Sequence, residues 1–345
     1  MKDPRGAGRC CELDVERLGK LLESFDGVQL LVVGDAMLDE YLWGEAQRIS
    51  PEAPVPVVRV ERDSVVLGGA ANVVRNVVAL GGRCRFAGVV GEDLDGERVR
   101  ELLSLQGVAN DGVVVDPGRV TTRKARVVAS GQQVVRFDRE TARPISAEVA
   151  AALLDASHRF LRDLDGVILA DYGKGVLTGS FTRALLKGFA EAGVPVAVDP
   201  KGDFSRYRGV SLLKPNGNEA RGIVESPTAE ASGPESLAQQ IRKEVGEIPI
   251  AVTEGRRGMV VFEGSRPGIP VPTLTREVFD VQGAGDTAMA ALWLAVRVGA
   301  SLVEAALLAN VAAGVVVEKM GTATATRNEV RGRLADAVAW AREAG

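Results

Sequence analysis

Histidine is almost missing from this chain: His158 is the only one among 345 residues. Serine-histidine-aspartate triads and multi-histidine metal sites are thereby excluded. His158 itself lies in Ala147 to Arg162, a stretch that reads as a helix, and its expected place is the helix surface. Cysteine is scarce as well. Cys10, Cys11 and Cys84 are odd in number, two are adjacent, and no spacing suits a metal, so they read as reduced thiols of a cytoplasmic protein. No apolar run approaches the ~20 residues that cross a bilayer, and the opening MKDPRGAGRCCELDVERL lacks the apolar centre of a signal peptide. No basic run can follow a nucleic-acid backbone, and the net charge is −4. Neither nucleic acid nor membrane is expected as a partner. Two phosphate motifs are absent too. Gly173-Lys174-Gly175 has neither the spacing nor the hydroxyl of G-x-x-x-x-G-K-[ST], and no G-x-G-x-x-G opens the first helix, which disfavours a dinucleotide enzyme.

What is present is ample core: 46% hydrophobic with 26% charged residues suits one large α/β domain with an appendage, or two small domains. Residues 1–13 read as a loose leader and Asp14 to Ser24 as a short helix. Val28 to Asp35, VQLLVVGD, reads as a buried first strand ending in a carboxylate. Pro51, Pro54 and Pro56 forbid helix, and Val57 to Val66 has the β-branched content of a half-exposed strand. Gly68-Gly69 then opens a helix with Val73, Val77 and Leu80 on one face, followed by the strand FAGVVGED and a helix from about Leu94 to Gln106. Residues 40–66 and 112–138 read as a small β-rich lid apart from the main sheet. From Ala147 onward, GVILADYG, VPVAVDPKG, VSLLKPN, IPIAVTEG and GMVVFEG alternate with helical stretches such as 179–192 and 235–245. Short, nearly continuous apolar strands between helices predict a mostly parallel sheet covered by helices on both faces. Ser301 to Glu304 is a capping-box pattern that opens a long helix to about Met320.

The stretch around which the chemistry is organised is Arg276 to Gly299, REVFDVQGAGDTAMAALWLAVRVG. An extended run, Glu277 to Val281, turns at Gly283, Ala284 and Gly285. Asp286 follows at the threshold of a helix with Met289, Leu292, Trp293 and Val296 on its apolar face. Unpaired N–H groups at such a helix start form an anion hole, and a carboxylate beside it can serve as a base. An Asp N-cap after a glycine turn has the same local pattern. The strand ends are polar in register: Asp35; Asp171 and Lys174; Asp199 and Lys201; Lys214, Asn216 and Glu219; Thr253 and Gly255. Each alone is an ordinary turn residue. Together they fit a phosphate- and metal-binding rim beyond the carboxyl ends of the strands.

Gly68-Gly69 with Asn72, and Asp280-Val281-Gln282-Gly283-Ala284-Gly285-Asp286, resemble the two signatures of the ribokinase (PfkB-type) carbohydrate kinases. Asn216-Gly217-Asn218-Glu219 resembles that family's N-x-x-E motif. The resemblance runs from about Val28 to Val330 and implies a ribokinase-like α/β fold in one kinase domain, 1–345, with its lid inside it. It further implies that Asp286 takes the proton from a sugar hydroxyl, while the N–H groups of Gly283, Ala284 and Gly285 hold the moving phosphate. Asp35, Gly68, Gly69 and Asn72 would hold the sugar. Asn216, Gly217, Asn218 and Glu219 would organise the ATP phosphates and Mg2+, with Glu219 reaching the metal through water. Thr253, Gly255 and Asn310 would line the nucleotide pocket, although Asn310 equally suits the exposed side of its helix. The family's usual threonine is replaced by Gln282, which leaves a monovalent-cation requirement open.

Within the family, RISPEAPVPVV (Arg48 to Val58), GGAANV, QQVVRFD, DYGKGVLT, DPKG with RYRG, and GVVVEKMGTAT resemble the branch acting on D-glycero-D-manno-heptose 7-phosphate. That implies phosphorylation of the anomeric hydroxyl, toward ADP-heptose for lipopolysaccharide core. Basic residues Arg48, Arg123, Lys124, Arg126 and Lys174 suit a phosphorylated acceptor, or simply a solvated lid face. Another sugar, sugar phosphate or nucleoside as acceptor, or a non-catalytic sensor on the same fold, are the alternatives. A nucleotidyltransferase H-x-G-H motif would need two histidines, so a single-function kinase is expected. The resemblance, more than any pattern, implies a homodimer, and the free edges of a lid sheet would admit strand addition from a second copy.

Overall fold

The computed structural model describes residues 13–222, 233–274 and 278–344. The expected leader falls outside these residues except for Leu13, and so does Glu277 of the expected extended run. The remainder of that run, 278–281, is loop rather than strand, with the N–H groups of Phe279 and Asp280 donating to the Val317 carbonyl.

The first helix, α1 (Val15–Glu23), is capped by Asp14, whose carboxylate accepts from the Arg17 N–H. Strand β1 (Gln29–Ile49) follows and is the spine of the molecule. Its alternation decides the layering. Leu30 and Val32 enter one hydrophobic core, while Leu31 and Val33 enter the other, as successive side chains of a strand point to opposite faces. Four further strands run parallel in the same sheet: β3 (Arg83–Gly91), β4 (Val113–Asp116), β7 (Gly166–Ala170) and β8 (Val196–Asp199). They continue through β9 (Leu212–Leu213) and β10 (Ile250–Thr253) to the antiparallel edge strands β11 (Met259–Phe262) and β12 (Ile269–Val271). The spatial order is β12-β11-β10-β9-β8-β7-β1-β3-β4.

One face is covered by α2 (Ala70–Ala79), α8 (Ala284–Arg297) and α9 (Leu302–Val317), with Val73, Val77, Leu292, Trp293 and Leu308 in its core. The capping box at Ser301 and Glu304 starts α9 as expected, and the helix ends at Val317. The other face is covered by α4 (Ala147–His158), α5 (Gly179–Glu191) and α7 (Pro234–Val245), through Leu153, Leu185, Phe189 and Ile241. His158 ends α4 half-buried, edge-on to Phe189 at 6.3 Å between ring centres.

The lid differs in detail from the sequence reading. β1 does not stop at Asp35. It leaves the main sheet there and runs on for fourteen residues, pairing antiparallel with β2 (Pro56–Gly69) and parallel with β5 (Thr122–Ala129). β6 (Gln132–Arg139) pairs with β5 and completes the lid sheet in the order β2-β1-β5-β6. Residues 113–116 are not lid: β4 pairs with β3 in the main sheet. The polar text of Asp39 and Glu40 hides the continuation, because both carboxylates are buried and paired with lid arginines.

Gly69 joins lid to helix. It is the N-cap of α2 with φ 56°, and a Cβ there would meet the Met37 side chain at 2.5 Å and the Asp35 carbonyl oxygen at 2.8 Å. Gly69→Ala is therefore expected to destabilise the fold by about 1–3 kcal/mol. Urea unfolding checks this, and an unchanged midpoint would contradict it.

Candidate active site

The strand ends and the start of α8 converge on one carboxylate. Gly283 is the N-cap of α8 in the left-handed region, φ 75°, where a Cβ would crowd the Asn72 amide at 2.9 Å. Glycine is required by both constraints. Asp286 is the third residue of the helix, and its side chain does not cap it. Its Oδ2 accepts from Asn72 Nδ2 at 2.7 Å, and its Oδ1 accepts from the Tyr172 hydroxyl. The Asn72 amide is oriented in turn by Arg75, which donates to its Oδ1 at 3.0 Å. Burial raises the Asp286 pKa, while the bonds from Tyr172 and Asn72 and the charge of Lys214 work against it. An ordinary capping role is thus excluded, and a shielded carboxylate stands in the first turn of a helix whose leading N–H, that of Ala284, makes only a long 3.4 Å bond to the Val281 carbonyl.

Asp35, expected at the sugar, is engaged by backbone. It is buried, and its oxygens accept backbone N–H groups from Tyr172 at 2.9 Å, Lys174 at 3.2 Å and Val176 at 3.2 Å. A carboxylate has about four acceptor sites, so at most one remains for a ligand. Burial and the neighbouring Asp171 raise its pKa, against those three donors. Gly68 packs on Asp39, whose Oδ2 would lie 2.4 Å from an added Cβ.

The basic residues divide. Arg126 is buried and committed: it donates to Asp39 at 2.7 Å and lies over the Tyr41 ring at 5.4 Å. Arg123 points to the opposite face of β5, toward Glu40 and Asp95. Arg48 is exposed near the end of β1, away from the cluster. Lys174 reaches Glu140 at 2.7 Å. Lys124, on the same face of β5 as Arg126, is half-buried and has no ion pair among the described residues. Burial lowers its pKa, against the charges of Asp39 and Asp138 and helped by those of Lys174 and Arg136.

The nucleotide-side residues also meet. A cavity of about 600 Å³ is lined by Asn216, Gly217, Asn218, Thr253, Gly255 and Asn310, together with Ala284 and Gly285 of the α8 start. Asn310 is buried rather than on an exposed face, and donates to the Val271 carbonyl at 2.8 Å. The N-x-x-E residues form a complete capping box for α6 (Gly217–Arg221). Asn216 accepts from the Asn218 and Glu219 N–H groups, and Glu219 Oε2 accepts from the Asn216 N–H. The other Glu219 oxygen meets Lys201 at 3.3 Å. Among the described residues no group of three or more His, Cys, Asp or Glu is arranged around a metal position.

Three contacts escaped the sequence reading, although it named Lys214, Asp199 and Gln282 themselves. Tyr172 stands between two residues that read as turn chemistry. Lys214, only 2% exposed, pairs with Asp199 at 3.0 Å. Burial pushes Asp199 up to about 6, against Lys214 and helped by Glu219 and Asp286. Tyr41 of the lid links Gln282 at 2.9 Å to Thr322 at 2.8 Å, so the glutamine at the usual threonine position bonds to the lid. A strand-end lysine next to N-x-x-E was a signal for the second feature. The first and third join residues 114 or more positions apart and had none.

A helix N-terminus, a shielded carboxylate and an adjoining cavity suit transfer of a charged group to a hydroxyl. The pfkB family carbohydrate kinase model matches residues 29–329, and the chain belongs to that family of carbohydrate kinases. Among curated relatives, "Bifunctional protein HldE" of Trichlorobacter lovleyi is 43% identical over 319 residues, 92% of this chain and 65% of its own length. The protein of that name from Caulobacter vibrioides is 44% identical, covering 91% and 65%. The chain thus spans about two-thirds of the length of these relatives. Among solved structures, ribokinase of Arabidopsis thaliana complexed with ribose and ATP superposes with a TM-score of 0.68 at 22% identity, covering 89% of this chain and 98% of that one. Phosphofructokinase-2 of Escherichia coli in complex with potassium gives 0.72 at 20%, covering 90% and 99%. The fold is ribokinase-like, a mostly parallel sheet with a small lid.

Because Asp286 does not cap α8, Asp286→Asn is expected to change unfolding free energy by less than about 1 kcal/mol. Turnover is expected to fall at least ~100-fold, the lower range for a general base. Kinase assays beside urea unfolding check both. Activity kept in the variant would move the chemistry elsewhere.

Proposed function

We propose that this carbohydrate kinase uses ATP and Mg2+ to phosphorylate the anomeric hydroxyl of D-glycero-D-manno-heptose 7-phosphate, giving the 1,7-bisphosphate for ADP-heptose synthesis. The observation that carries the phosphorylated acceptor is Lys124, a half-buried ammonium without an ion pair among the described residues, within electrostatic reach of Lys174. A cation left in that state is stabilised by an anionic ligand. The heptose itself rests on the resemblance of the RISPEAPVPVV, DYGKGVLT and GVVVEKMGTAT stretches.

In this reading the sugar lies between the lid and the strand ends, with its distal phosphate on Lys124 and Lys174. Arg126 shapes that site through Asp39 rather than touching the phosphate, and Arg48 stays outside it. Asp286 accepts the proton of the anomeric hydroxyl. The N–H groups of Gly283, Ala284 and Gly285 hold the charge of the phosphoryl group in transfer. ATP occupies the cavity lined by Asn216, Thr253, Gly255 and Asn310. Glu219 keeps one oxygen, now near Lys201, for a magnesium-bound water. One or two carboxylates suffice for Mg2+ that keeps its waters, and the ion would neutralise phosphate charge.

We also read the protein as a cytoplasmic homodimer joined through its lid. Among the described residues no helix is long and apolar enough to cross a membrane. β6 is exposed along its length and ends the lid sheet with an open edge carrying Val135 and Phe137. Phe137→Lys is expected to give a monomer by analytical ultracentrifugation, and an unchanged dimer would move the interface.

The acceptor is tested by ATP consumption with heptose 7-phosphate, unphosphorylated heptose, ribose and fructose 6-phosphate. Heptose 7-phosphate should give the highest kcat/KM. Comparable values for ribose would overturn the acceptor while leaving the family intact. Lys124→Met should raise KM for the sugar phosphate by ~10–100-fold, the worth of one charge-assisted contact, with KM for ATP unchanged.

A further inference from the structure

The chemistry proposed above makes no use of Tyr172. It follows β7, with its ring packed half-buried against the core, and its hydroxyl donates to Asp286 Oδ1. Burial and the charge of Asp286 raise the tyrosine pKa well above its ordinary value, so it remains a protonated donor wherever the enzyme works. The backbone behind it does not drift. The N–H of Tyr172 itself, and those of Lys174 and Val176, are held by Asp35. On the far side, Asn72 holds the second Asp286 oxygen and is itself oriented by Arg75. A two-point grip of this kind fixes the plane of a carboxylate. About two of its four acceptor sites stay open for an incoming hydroxyl.

We propose that Tyr172 is a positioning residue for Asp286, its hydroxyl fixing the carboxylate plane and favouring the ionised form, with Asp35 fixing Tyr172 through the loop it clamps. The proposal rests on the reading of Asp286 as the proton acceptor. A base that rotates presents its lone pair to the hydroxyl for only part of the time, and a misplaced base loses rate rather than affinity. Tyr172 is therefore expected to act on kcat and on the pH profile, and to leave both KM values alone.

The charged and titratable groups that face Asp286 come from every neighbouring element. Lys214 lies after β9 and pulls its pKa down, while Asp39 of β1 pushes it up. Asp199 at the end of β8 and Arg75 of α2 share its field. None of these is removed by Tyr172→Phe, which deletes one oxygen. In the substrate-free protein the Asp286 carboxyl can be titrated by 13C NMR, assigned with Asp286→Asn. Loss of the tyrosine donor should raise the midpoint by about one pH unit or more. The sign follows from the geometry: the bond stabilises the ionised form, so its loss favours the protonated one. The acid limb of kcat/KM should move up by the same amount, and kcat should fall by ~10–100-fold with each KM within about twofold. Asp35→Asn should reproduce the direction with a smaller shift.

An unmoved titration with wild-type kcat overturns the proposal. A moved titration in a protein that phosphorylates no sugar would keep the positioning role and sink the functional reading. Normal kinase activity with an unmoved titration would do the reverse. Should Tyr172→Phe fail to fold, 3-fluorotyrosine at position 172 supplies a stronger donor of nearly the same size. The midpoint is then expected to fall, and no change would equally overturn the proposal.

Discussion

The Asp35 carboxylate and the three backbone N–H groups it receives are what the rest of the site depends on. Asp35 sits where β1 stops pairing with β3 and begins to pair with the lid. A buried carboxylate there is costly unless its oxygens are satisfied, and a charge-assisted bond is worth roughly twice a neutral one. The loop after β7 supplies those donors and is thereby pinned to the spine of the sheet. Two side chains leave the pinned loop in useful directions, Tyr172 toward Asp286 and Lys174 toward the lid. A residue whose type suggested contact with the ligand thus also holds backbone in place, with about one acceptor site to spare.

A second network joins lid to core. Arg126 pairs with Asp39, Asp39 accepts from Thr322 at 3.3 Å, and Thr322 meets Tyr41, whose hydroxyl also reaches Gln282. Every member is buried or half-buried and partnered. Breaking a buried pair by removing one partner leaves an uncompensated charge, at about 3–5 kcal/mol. Arg126 therefore reads as part of the lid's framework, and the neighbouring Lys124 as the cation with spare capacity.

Which parts were legible in the sequence follows from how far apart the cooperating residues lie. The buried first half of β1, the glycine turn before α8 and the capping box at Ser301 are local patterns, and each appears in the structure at its expected place. The lid's true extent was obscured because Asp39 and Glu40 look like surface residues until their arginine partners on β5 are known. Residues 113–116 look like any exposed strand, and only pairing with β3 assigns them to the main sheet. Asn216 and Glu219 were legible as a motif, but their bonds to one another show that a helix cap accounts for much of the pattern. Tyr172 and Asp286 meet across the sheet, and no local spacing encodes that meeting.

The single strand β1 serves two sheets without a break, twenty-one residues from Gln29 to Ile49. A lid carried on a loop would swing freely. This one is carried on a continuous strand, anchored in the core at its first half and irregular in register with β2 only farther out, at Trp43/Gly44 and Ala46/Arg48. A tilt of the lid would have to flex this strand, and the two sets of pairing meet beside Asp35. Force applied at the rim of the lid thus arrives at the carboxylate that holds the loop of Tyr172 and Lys174. The lid and the floor of the site are mechanically one part.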